Sequence, residues 1–332
     1  MPAQAVASRM PPPRQALFSR LMAWLGGAPA LAVEEEEPLL LTRRVDGADQ
    51  PPLDKLQLAQ WLWGAGFNMP GGEEHVLELV KPFALNPAMN MLDVSAGLGG
   101  PARAISTAFK MYMTAYERDP ELAKRGMEMS TLQGMNKHAP VTHYDPETFE
   151  LRGGAFDCIL CRQATSKLTD KDRFLGMLNY GLKARGQLML TELVLDPTVG
   201  PKAELKAWER RQPVPPQLWT LEQYTLCLTK LGLDIRITEE TTDRYRGMIL
   251  QGWAQLLHNA DLRGMPRKHV RSIVDEAENW FYTVAALDSG ALKVYRLYGL
   301  ASATPPSARK VKGKGKKKAA PAAAAPAAAP AA

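Results

Sequence analysis

Met91-Leu-Asp-Val-Ser-Ala-Gly-Leu-Gly-Gly-Pro-Ala-Arg103 reads as an apolar strand ending at Asp93, a turn built on Gly97, Gly99 and Gly100, and a helix opening with Pro101 at its first position. Glycine has no side chain, so such a turn lets a ligand approach the backbone closely. The helix start behind it offers unpaired N–H groups to a carboxylate or phosphate. The turn alone is a weak signal, because several nucleotide sites use the same device. Two further acidic strand ends narrow it. Lys110–Tyr116 reads as a second strand ending at Glu117, and a carboxylate about twenty residues past a glycine turn commonly accepts hydrogen bonds from ribose hydroxyls. Pro140–Tyr144 reads as a third strand, ending at Asp145.

Ala155–Cys161 continues the pattern as a fourth strand, ending at Arg162-Gln163. A helix over Asp170–Lys183 and a fifth strand over Gly186–Leu195 follow. Strands alternating with helices imply a parallel sheet that binds ligands at the C-terminal ends of its strands. Asp93, Glu117, Asp145 and Gln163 gather at that rim. Further on, helices are expected over Lys202–Arg211, over Thr220–Leu231 with Thr220 as N-cap, and over about 243–259 and 266–287. Strands are expected over Leu233–Thr238 and Ala291–Leu300.

This order of motifs resembles the class I S-adenosylmethionine (SAM) methyltransferases. The likeness is closest to the small-molecule branch of sterol, tocopherol, sarcosine/dimethylglycine and phosphoethanolamine methyltransferases. Leu92–Arg103 is similar to the first motif of that branch, and Trp63-Gly-Ala-Gly-Phe-Asn-Met-Pro-Gly-Gly72 to the aromatic-Gly-x-Gly-Phe…Gly-Gly segment of phosphoethanolamine-type enzymes. Phe156-Asp157, Leu182-Lys183 and Gly186 fit its fourth strand, helix and fifth strand. The resemblance implies an α/β fold: a Rossmann-like seven-stranded sheet, mostly parallel with an antiparallel strand 7, helices on both faces and a helical cap.

The resemblance also implies roles. Asp93, Ser95, Gly97 and Gly99 border the methionine part of SAM, Glu117 with Arg118 its ribose, Asp145 with Pro146 its adenine, and Arg162 with Gln163 the methyl region. Trp63, Phe67, Gly71, Gly72 and His75 are candidates for the methyl acceptor. The bland reading, that Glu73 and Glu74 before His75 favour a helix start, outweighs an acceptor role for His75, and Trp61 and Trp63 are equally explained as core packing. Two departures stand out: Ser95 replaces the first glycine of the turn, and Ala184-Arg185 replace the usual Pro-Gly before strand 5. No residue identifies itself as a general base.

At 332 residues and 45% hydrophobic, the chain has room for one domain of about 250 residues and two extensions. The expected divisions are 1–52, disordered or partly helical; 53–301, the methyltransferase domain; and 302–332, a disordered tail. Net charge is +6, but Arg309–Lys318 holds seven positive charges, and without them the balance is −1. The basic character therefore belongs to the tail. Residues 309–318 offer weak contact to nucleic acid or an anionic membrane, or are simply a solvated tail. Leu17, Phe18, Leu21, Met22 and Leu25 share one face of a helical stretch in the first extension. Arg14 and Arg20 before Leu21–Val33 sketch a leader that Gly26, Gly27 and Pro29 interrupt.

Three cysteines suggest no disulfide framework, and Cys158 and Cys161 lie on a predicted central strand, where buried structural thiols are expected. No histidine spacing suggests a metal, and no apolar run reaches the length of a membrane span. The expectation is a cytoplasmic, SAM-dependent methyltransferase for a small-molecule or lipid-like acceptor. Two other readings stay open: a catalytically inactive methyltransferase-like scaffold, and an RNA methyltransferase that uses the Lys-rich tail.

Overall fold

The computed structural model describes residues 53–260 and 264–303. Two helices, α1 (Lys55–Trp63) and α2 (Gly72–Leu79), precede β1 (Met91–Asp93). Then come α3 (Gly100–Phe109), β2 (Met113–Glu117), α4 (Pro120–Leu132), β3 (Val141–His143), β4 (Phe156–Arg162), α5 (Lys171–Gly181) and β5 (Leu182–Leu195). The second half is α6 (Ala203–Arg211), β6 (Trp219–Thr220), α7 (Leu221–Lys230), β7 (Asp234–Glu240), α8 (Thr242–Asn259), α9 (Arg267–Asp288) and β8 (Leu292–Leu300). The extensions with the apolar stretch 17–25 and the Lys-rich run 309–318 lie outside the described residues.

The sheet order is β3-β2-β1-β4-β5-β8-β7. Only β8 runs against the others, pairing antiparallel with β5 and β7. A mostly parallel sheet with one antiparallel strand is what the resemblance implied. One correction is needed: an eighth strand, two-residue β6, pairs parallel with Val194–Leu195. Two residues carry no readable period, so it was invisible in the sequence. β1 is buried along its whole length, as a central strand covered on both faces requires. β7 alternates exposed and half-buried residues, as an edge strand does.

Two apolar cores sandwich the sheet. One joins α1, α2, α3, α8 and α9 to it through Leu58, Val76, Ile105, Trp253 and Leu287. The other packs α5 and α7 through Phe174, Leu178, Tyr224 and Leu228. Helix starts are capped where the residue types allow it: Asp54, Asp119 and Asp170 each accept backbone N–H bonds, and Thr220 forms a reciprocal capping box with Gln223. Cys158, Cys161 and Cys227 are buried free thiols, and burial pushes Cys158 up to about 12. Among the described residues no helix is long and apolar enough to cross a membrane.

Candidate active site

The glycine turn is held from both sides. Gly97 and Gly99 have φ of 56° and 77°, a region that favours glycine. A Cβ on Gly97 would collide with the side chain of Asn68, and one on Gly99 with Val141 and Arg103. The expected free helix-start amides are instead largely used by the protein. Gly100 N donates to Gly66 O at 2.9 Å, Gly99 N to Ala96 O at 2.8 Å, and Gly97 N to Glu117 Oε2 at 2.7 Å. The segment between α1 and α2 therefore lies across the turn as a strap. Beneath it, buried Arg103 donates to Gly126 O and to Ser130 Oγ at 3.1 Å, joining α3 to α4; burial lowers its pKa to about 10.

Ser95 links two strand ends. Its Oγ donates to Asp93 Oδ1 and accepts from Arg162 N, both at 2.9 Å. Asp93 is fully buried and carries the guanidinium of Arg162, with Nη2 at 3.3 Å from Oδ2 and 2.8 Å from Ser95 O. A glycine at position 95 would leave out the bridge between β1 and β4.

Glu117, buried at the end of β2, accepts from Gly97 N and Asp119 N, at 2.9 Å for the latter. Burial raises its pKa against those two bonds. Arg118 beside it is exposed, and its carbonyl bonds His143 Nε2 at 3.1 Å. At the end of β3, Asp145 is exposed and Pro146 buried. Asp145 accepts from Thr148 Oγ1 at 2.8 Å and Glu147 N at 3.0 Å, and these bonds lower its pKa. Lys167, in the loop after β4, was missed in the sequence. Burial lowers its pKa, and it faces Arg118, Asp119 and Glu117.

The same loop is clamped from behind by Glu192 of β5, which is also a residue the sequence reading passed over. Its Oε1 accepts from Ala164 N and Thr165 N, both at 3.0 Å, while buried Oε2 has no partner among the described residues. Burial pushes its pKa up to about 8. Gln163, with φ of 48°, donates its N–H to Thr191 O at 2.7 Å. A lone acid inside the apolar run Leu188–Leu195 was the available signal.

Beside Gln163 opens a small cavity of about 40 Å³ between the ends of β4 and β8 and helix α8. Arg162, Gln163 and His75 line it together with Arg244, Tyr245 and Arg296. The last three lie far away in sequence and carried no motif. Tyr245 OH donates to Gln163 Oε1 at 3.4 Å. Arg244 pairs with Glu78 at 3.3 Å, and Arg296 with Glu239. The Nε atoms of Arg162 and Arg296 are buried without partners among the described residues. Trp63, Gly71 and Gly72 border a neighbouring open groove, which His75 and Arg244 share with the cavity. Phe67 packs in the core, against Gly64 and Gly100, away from both.

These residues fit SAM. A glycine turn at the end of β1, a buried carboxylate at the end of β2 with lone pairs to spare, and an exposed acid at the end of β3 stand at neighbouring strand ends, a donor set whose chemistry suits a nucleoside cofactor.

Comparison with known proteins agrees with the fold. Residues 73–237 match a family described as a methyltransferase domain. Phosphoethanolamine N-methyltransferase 2 of Caenorhabditis elegans is 22% identical over 133 residues, 40% of this chain and 30% of that protein. Phosphoethanolamine N-methyltransferase 1 of Arabidopsis thaliana is 23% identical over 184 residues, 55% of this chain and 36% of that protein. The chain thus spans about a third of the length of these relatives. Among solved structures, Haemonchus contortus phosphoethanolamine N-methyltransferase 2, in complex with phosphomonomethylethanolamine and S-adenosylhomocysteine, superposes with a TM-score of 0.67 at 18% identity, over 77% of this chain and 59% of that one. A putative sarcosine dimethylglycine methyltransferase from Galdieria sulphuraria gives 0.58 at 17% identity, over 70% and 85%. Fold and motif order define a class I SAM-dependent methyltransferase architecture. Within that class the chain is similar to small-molecule methyltransferases, those of phosphoethanolamine and of sarcosine/dimethylglycine among them.

Proposed function

We propose that residues 53–301 form a cytoplasmic SAM-dependent methyltransferase whose acceptor is a small molecule carrying an anionic group. The observation that carries the acceptor class is the convergence of three guanidinium side chains, Arg162, Arg244 and Arg296, on one cavity. A phosphate or carboxylate matches the fork of a guanidinium. Phosphoethanolamine and sarcosine, named for the relatives, both combine such an anion with an amine.

SAM, when bound, supplies a methyl already made electrophilic by its sulfonium. The chain's own task is to bind, align and exclude water. Glu117, with Arg118 at its side, holds the ribose hydroxyls. Gly97 and Gly99, with Asn68 across them, border the methionine part, and Asp93 and Ser95 brace that wall. Asp145 and Pro146 meet the adenine. Arg162 and Gln163 stand between cofactor and acceptor, so the cavity opens where the methyl is delivered. Calorimetric titration with SAM and S-adenosylhomocysteine tests the reading. Micromolar binding, followed by methyl transfer to an amine that bears a phosphate or carboxylate, is expected. Absence of binding by the folded protein would overturn it.

A further inference from the structure

Thirteen residues line the cavity, and five of them titrate: Arg162, Arg244, Arg296, Tyr245 and His75. Arginine keeps its proton throughout the usable pH range, and burial pushes Tyr245 up to about 12. Among the lining residues, His75 alone can take up a proton near neutral pH. Its position is tightly defined. Its backbone N–H donates to Gly71 O at 3.2 Å, and a Cβ on Gly71 would collide with the His75 side chain and with the sulfur of Met248.

The charges facing His75 come from every wall: Glu78 on its own helix, Arg162 from β4, Arg244 from α8 and Arg296 from β8. Burial first, then the guanidinium of Arg162 and those of the other two arginines, push its pKa down to about 4 against the pull of Glu78. Alone, so weak a base is of little use at pH 7. Those arginines, however, are the groups that an anionic acceptor neutralises. An opposite charge within a few Å moves a pKa by about one unit or more.

We infer that His75 is the proton-accepting residue of the acceptor site, and that the acceptor's own anion, seated among Arg162, Arg244 and Arg296, makes it basic. This rests on the reading of the cavity given above. An ammonium on the acceptor passes its proton to a ring nitrogen of His75 and frees its lone pair. The lone pair forms the new N–C bond to the methyl carbon as the C–S bond breaks, its electron pair staying on sulfur. When the methylated anion leaves, the arginine field returns and expels the proton from His75 to solvent. A molecule without the anion leaves the base switched off.

Inorganic sulfate, which stays dianionic across the range, serves as the probe. The full chain is isotope-labelled and its five histidine rings are titrated by NMR between pH 4.5 and 8.5, with and without saturating sulfate. His75 is assigned through His75→Gln or, should that variant not fold, through variants of the other four. The expected result is an upward shift of the His75 midpoint by at least one unit, a ten-fold gain in proton affinity. The other four midpoints stay fixed while the Arg162 and Arg296 Nε–H signals move. Arginine signals that respond while His75 does not would overturn the coupled base and leave the anionic cavity standing. If neither responds, the cavity reading falls and the inference falls with it.

Discussion

Ser95 stands where the first motif calls for glycine, and the structure gives its side chain work. One hydroxyl joins Asp93 to the backbone of Arg162. The pair it braces is the most consequential at this scale. Asp93 is fully buried and Arg162 nearly so, and a buried charge stripped of its partner costs about 3–5 kcal/mol. Arg162→Met is therefore expected to lower unfolding free energy by about that much in urea titrations, with Asp93→Asn milder because Ser95 still has an acceptor. Glu117 makes a second test. Glu117→Ala removes the acceptor proposed for the ribose and should weaken S-adenosylhomocysteine binding by about 1–3 kcal/mol, read by calorimetry. Unchanged affinity would remove Glu117 from that role.

Among elements, the strap between α1 and α2 and the loop after β4 carry the site. The strap's Asn68 rests on Gly97, so Gly97→Ala meets two obstacles, the collision and a φ of 56°. Adding Asn68→Ala should recover part of the lost melting temperature but not all, because the backbone strain of about 1 kcal/mol or more persists. The loop depends on Glu192. Its pKa near 8 in the folded protein compares with about 4.3 in an unfolded chain. That group favours folding most below the unfolded value, and its contribution is lost as pH rises through 8. Stability should fall from pH 5 to pH 9 in the parent protein, and fall less in Glu192→Gln, which keeps an oxygen for Ala164 and Thr165. An equal fall in unfolding free energy in the parent and in Glu192→Gln, from denaturant titrations at the two pH values, would show that Glu192 is ionised in the fold.

At the scale of the whole molecule, the parallel sheet with one inserted antiparallel strand brings residues 75, 162, 244 and 296 around one cavity. A ligand that binds only the folded state stabilises it, by about 2.7 kcal/mol at one hundred times its dissociation constant. S-adenosylhomocysteine should thus raise the melting temperature, and sulfate should add to that rise if the cavity is an anion site. The Lys-rich run 309–318 is a separate proposal. Deleting residues 304–332 should abolish salt-sensitive retention on RNA or DNA without lowering the melting temperature. Retention by the shortened chain would end that idea.

How much was legible follows from how each feature is encoded. Local signals foretold the turn at Gly97, the acid at Glu117, the cap at Thr220 and the alternation of strands and helices, because apolar period, glycine and capping residues act within a few positions of themselves. The sequence by itself thus determined the fold class, the succession of strands and helices and the strand ends at which a cofactor is expected. Only the tertiary structure decided what Ser95 bridges, that the strap takes the N–H of Gly100, that Glu192 clamps the loop behind Gln163, and that His75 meets arginines more than eighty residues away along the chain. Charge and hydrogen-bond partnerships of that kind have no period and no fixed spacing. They arise when the closing sheet and the cap helices bury the groups together.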